Sequence, residues 1–108
     1  MSEIHRDFFA KRRAAELATI GFCAVSTGSI GLGRDAVVRS QEIVRNNRAS
    51  RFMDYPAEMS LRTLVALGDK SEAEHFGSEY AKRRMALHSL PIPPFFEEVQ
   101  RFVEETKS

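Results

Sequence analysis

Thr27-Gly28-Ser29-Ile30-Gly31-Leu32-Gly33-Arg34-Asp35 is the stretch on which the fold turns. Three glycines within six positions, flanked by hydroxyl side chains, weaken both helix and strand and are expected to form a turn. An apolar run over 14–25, interrupted by Glu16 and Thr19, precedes it, and a polar, arginine-studded segment follows it as far as Asn46-Asn47. Two uses compete for such a loop. One helix can stop there and the next start, or the amides of Gly31 and Gly33, with Arg34 beside them, can cradle a phosphate or carboxylate at the start of the second helix. The spacing is neither the dinucleotide-binding pattern nor a Walker loop, so a plain interhelical turn is the simpler expectation.

Upstream, the helix formers Ala, Glu, Lys and Arg predict a helix over 7–18. Residues 19–25 have the β-branched and aromatic content of a buried strand, but a strand needs a partner and no comparable segment exists. The first helix is therefore continued to about residue 25, with Gly28 as its stop and Cys23 as a small buried apolar residue. Downstream, residues 35–45 read as a second helix with Ala36, Val37, Ile43 and Val44 on one face. At about 100° per residue, Arg34, Gln41, Arg45 and Arg48 share another. That basic stripe of Arg34, Arg45 and Arg48 is either a nucleic-acid contact or a solvated surface whose arginine stems lie over the core edge.

Asp54 and Pro56 suggest the start of a third helix that presents Met59, Leu61, Leu64, Val65 and Leu67 to the core and ends at Gly68. Phe52, Met53 and Tyr55 before it cover the core or form a contact surface. Ser71-x-x-Glu74 has the form of a capping box and opens a fourth helix whose buried face is Phe76, Tyr80, Ala81, Met85 and Leu87. After the stiff Leu90-Pro91-Ile92-Pro93-Pro94 connector, Phe95, Phe96, Val99, Phe102 and Val103 recur at helical spacing and predict a fifth helix. The expected fold class is all-α, a small bundle of four or five helices in a single domain over 1–108.

With 43% hydrophobic and 29% charged residues, the chain has the composition of a protein that folds rather than one that stays disordered. Its net charge of +1 gives no bulk attraction to nucleic acid. The charge is divided unevenly: nine Lys/Arg against five Asp/Glu over 1–51, and seven against ten over 52–108, or +4 and −3. A lone cysteine excludes an internal disulfide and suits a reducing, cytoplasmic location. Lys11-Arg12-Arg13 followed by an apolar run has the order of a targeting signal, but Glu3, Asp7 and Glu16 contradict one. The run is also shorter than the roughly 20 residues a membrane span needs.

Glu72-x-x-His75 matches the unit by which helix bundles hold paired metal ions, with Glu79 one turn on. A complete site would require a second copy of the chain and a bridging carboxylate such as Glu42, so the plainer interpretation is a solvated acidic first turn. No cofactor is expected. The leading expectation is a non-enzymatic interaction or regulatory domain, with a homodimer as its expected assembly, that binds a partner through Phe95, Phe96 and Phe102. The alternatives are an arginine-mediated nucleic-acid or phosphate binder and a dimeric metal-carboxylate enzyme.

Overall fold

The computed structural model describes residues 3–46, 53–88, 97–98 and 101. It contains four helices, α1 (Glu3–Ser26), α2 (Ile30–Asn46), α3 (Asp54–Leu67) and α4 (Lys70–His88), and no strand among the described residues. The fold is a small all-α bundle. Residues 19–25 are helical throughout, so the segment of strand-like composition continues α1.

The glycine-rich stretch is a turn for only part of its expected length. Ser29 N–H donates to Ala24 O at 2.8 Å and Gly28 N–H to Val25 O at 3.1 Å, the two-bond closure that ends a helix on a left-handed residue. Gly28 supplies that residue with φ of 93°. Gly33 N–H already donates to Ser29 O at 3.0 Å, so α2 begins at Ile30 and takes in Gly31 and Gly33. The expectation of a second helix starting at Asp35 is corrected by about a turn: Gly31 and Gly33 are helical, and only Thr27-Gly28-Ser29 separates α1 from α2.

The α3–α4 junction repeats the device. Gly68, with φ of 75°, donates to Val65 O, and Asp69 N–H donates to Leu64 O, both at 3.0 Å. Asp69 then starts α4: its side chain accepts from Glu72 N–H at 3.3 Å and its carbonyl from Ala73 N–H at 3.1 Å. Capping belongs to Asp69 rather than to Ser71, because α4 starts at Lys70 and Ser71 is already inside it. Nor does Asp54 cap α3; Met53 holds that position, and Asp54 in the first turn accepts the Tyr80 hydroxyl at 2.6 Å.

The core gathers Ala14 of α1, Val37 and Val44 of α2, Met53, Ala57, Leu61 and Leu64 around α3, and Ala73, Phe76 and Tyr80 of α4. Among the expected core members Met85 and Cys23 are exposed, Met59 and Leu67 are half-buried outside the core cluster, and the Leu87 side chain lies outside the described residues. Helix α1 packs on both α2 and α3, α2 on α3, and α3 on α4. Gly21 faces Gly33 and Ala14 faces Ser40, so α1 and α2 run antiparallel. A Cβ on Gly33 would meet Gly21 O at 2.9 Å and collide with the Val25 side chain, while one on Gly21 would meet Gly33 O at 3.1 Å. Backbone therefore lies against backbone at this crossing. Further along, Ser40 Oγ donates to Ala14 O at 2.8 Å, and Ser60 Oγ reaches Ser40 Oγ at 3.4 Å, so the small polar groups between α1, α2 and α3 are satisfied where they are buried.

Candidate interaction surface

Close approach to α2 decides which side of α1 turns inward. The inward side holds Ala14, Leu17, Ala18, Gly21 and Ala24, with Ala10 packed against the core. Apart from Leu17, the side chains on this side are small and let the two backbones meet; Phe8, Phe9 and Ile20 lie away from it. Phe8, Phe9 and Ile20 are 59%, 53% and 45% exposed. The rings of Phe8 and Phe9 meet edge to face, with centroids 5.8 Å apart and planes at 72°.

Between Phe9 and Ile20 the same face carries charge. Glu16 accepts from Arg12 Nε at 3.1 Å and lies 3.8 Å from Arg13 Nη1, all three exposed. A shallow groove of about 490 Å³ runs along this side, lined by Arg12, Ala15, Glu16, Thr19 and Ile20. Thr19 Oγ1 donates to Ala15 O and contacts the Tyr55 hydroxyl at 2.9 Å, which brings exposed Tyr55 of α3 to the edge of the face. Cys23 is exposed one turn beyond Ile20.

The residues singled out in the sequence are placed as follows. Gly33 is buried against α1 and its amide is bonded to Ser29, whereas Gly31 and Arg34 are exposed on the first turns of α2. Arg48 lies outside the described residues, as do Phe95, Phe96 and Phe102. Positions 97, 98 and 101 of the expected fifth helix are helical and exposed. Arg45 is not part of a solvated stripe but ties α2 to α4. Its Nη2 donates to Glu72 at 2.9 Å, its Nε to Glu79 at 2.7 Å, and its guanidinium carbon lies 5.3 Å from the Phe76 ring centroid. Gln41, placed with the arginines by helical spacing, is buried and donates to Glu72 at 3.0 Å. Arg83 completes the tie from α4, donating to Val44 O at 2.8 Å and Arg45 O at 3.4 Å at the end of α2.

These contacts set the local electrostatics. Partial burial pulls the Arg45 pKa down, but hydrogen bonds to Glu79 and Glu72, and their charges, reverse this and raise it. The hydrogen bond from Arg45 holds Glu79 below its ordinary pKa against a smaller opposing effect of burial, with the charges of Arg45, His75 and Arg83 helping. Glu72 is thus engaged by Arg45 and Gln41, while His75 is exposed on α4. Among the described residues no group of three or more His, Cys, Asp or Glu side chains converges in a way that could hold a metal ion.

The outward face of α1 is not among the sites expected from the sequence, since at helical spacing Phe9, Arg13, Leu17, Ile20 and Ala24 fall in one row that joins exposed and buried residues. The signal available was the break in that row: Arg12, Arg13 and Glu16 sit between its apolar members, whereas Ala10, Ala14, Ala18 and Gly21 form an uninterrupted small stripe. Comparison with known proteins finds no matching family model, no matching curated protein and no matching solved structure. Among the described residues no helix is long and apolar enough to cross a membrane.

Proposed function

We propose that the chain is a non-enzymatic protein-interaction domain whose contact surface is the outward face of α1, edged by Tyr55. One observation carries this: α1 buries Ala14, Leu17, Ala18, Gly21 and Ala24 and leaves Phe8, Phe9 and Ile20 outside. Apolar surface left in water forgoes about 25 cal/mol per Å² of burial, and here Phe8 and Phe9, whose rings meet edge to face, stand exposed together with Ile20 three turns further along the helix. Arg12, Arg13 and Glu16 add charges that orient a partner. A reducing, cytoplasmic setting suits the exposed lone thiol of Cys23.

The test is co-purification of the tagged chain from its own cells, wild type against Phe9→Ser/Ile20→Ser. Both positions are exposed, so the variant is expected to melt with the wild type while losing the proteins, or the second copy, that the wild type retains. A variant that keeps the same company as the wild type removes the face from consideration.

A further inference from the structure

The outward face of α1 is ordered in a way that complements itself. Phe9, Arg13, Glu16, Ile20 and Cys23 succeed one another at spacings of 4, 3, 4 and 3, the repeat by which one helix forms a seam with another. Apolar groups stand toward the ends of this seam, and opposite charges stand between them. A second α1 laid antiparallel across the first, with the two-fold axis passing midway between positions 14 and 15, sets Phe9 against the partner's Ile20. The same operation sets Arg13 against the partner's Glu16, and each contact is made twice. A parallel pairing would instead stack arginine on arginine and glutamate on glutamate, which is repulsive. Within one chain Glu16 lies 3.1 Å from Arg12 and 3.8 Å from Arg13, and all three side chains remain exposed to a partner. The groove lined by Arg12, Ala15, Glu16, Thr19 and Ile20 borders this seam and shares Glu16 and Ile20 with it.

We propose that the partner of this face is a second copy of the chain, joined through antiparallel α1–α1 pairing in which Phe9 meets Ile20 and Arg13 meets Glu16 across a two-fold axis. The proposal rests on the interaction surface argued above and names its occupant. Sedimentation equilibrium of the full chain over a concentration series tests it, with thermal melts recorded alongside as a check on folding. The wild type is expected to dimerise. Arg13→Glu and Glu16→Arg are each expected to weaken the dimer by at least about tenfold, since like charges then face each other. The double variant Arg13→Glu/Glu16→Arg restores pairing, and an equal mixture of the two single variants forms a heterodimer, because each supplies the charge the other needs.

A wild type that stays monomeric at every concentration overturns the proposal, and so does a dimer indifferent to these exchanges. If the pure chain is monomeric but Phe9→Ser/Ile20→Ser still removes a partner retained in cells, the interaction surface stands and self-pairing falls. A dimer unmoved by changes at Phe9, Arg13, Glu16 and Ile20 alike, with co-purification equally unmoved, ends both. A monomer in which Cys23 resists a maleimide until Phe95 and Phe96 are replaced by serine gives the face to the chain's own C-terminal segment, and likewise overturns pairing between copies.

Discussion

The α1–α2 crossing and the α3–α4 crossing solve one problem with opposite materials. At the first, Gly21 and Gly33 bring backbone against backbone, and the α1 side holds mostly alanine. At the second, Leu61, Leu64, Phe76 and Tyr80 fill the space between helices with bulk. The difference teaches where apolar mass goes. Helix α1, packing mostly through small residues, buries Leu17, half-buries Phe22 and carries Phe8 and Phe9 outward, whereas α4, packing through large residues, buries Phe76 and Tyr80. The exposed apolar side of α1 follows from the style of packing.

The sharpest way to probe the bulky crossing is Leu61→Ala. Leu61 is fully buried and its side chain lies against Gly77, so the substitution is expected to cost about 2–5 kcal/mol in chemical denaturation. A loss under about 1 kcal/mol would mean that this crossing is not held by bulk. The tight crossing calls for a paired experiment on two glycines of α2. Gly33→Ala forces a methyl group into Val25 and the Gly21 carbonyl and is expected to destabilise by about 1–3 kcal/mol. Gly31→Ala, with open space around it, is expected to stabilise by up to about 1 kcal/mol through helix propensity alone. Equal effects at the two sites would break the distinction between them.

Between these crossings lies the Arg45 tie. Arg45→Ala removes two half-exposed ion pairs and the contact with the Phe76 ring, for an expected loss of about 1–2 kcal/mol. Because Glu79 is held below its ordinary pKa, the stability it contributes is fully present above the unfolded-state value and is lost as pH falls through the depressed folded-state value. Unfolding midpoints measured from neutral pH down through the carboxylate range should therefore fall less steeply for Arg45→Ala than for the wild type, and parallel curves would contradict the assignment. The smallest expected effect is at the surface itself: Phe9→Ser/Ile20→Ser should leave the stability of the isolated chain within about 0.5 kcal/mol, since neither side chain packs in the core. A larger loss would show that the outward face of α1 supports the fold.

Much of the fold was legible because it is punctuated locally. Gly68 and Gly28 end helices through hydrogen bonds to carbonyls a few residues back, and sequence spacing reports such bonds directly. The all-α class and the end of α3 at Gly68 follow from the same short-range rules. Spacing alone misled where a residue met something distant. Gly31 and Gly33 looked like loop residues because glycine is costly in a helix, and the reason for Gly33 sits on α1. Gln41 and Arg45 looked like a solvated basic face because their partners, Glu72 and Glu79, are carried on α4.

The sequence by itself determined that this chain forms helices and where several of them stop, since propensity, end-capping and helical period act within a few residues of the chain. Only the tertiary structure decided which side of α1 faces the core. Both sides carry apolar residues at helical spacing, so burial of apolar area alone does not choose between them. The choice is made by fit against α2, where only the side bearing Gly21 and the alanines lets the two backbones approach, and that leaves Phe8, Phe9 and Ile20 facing outward.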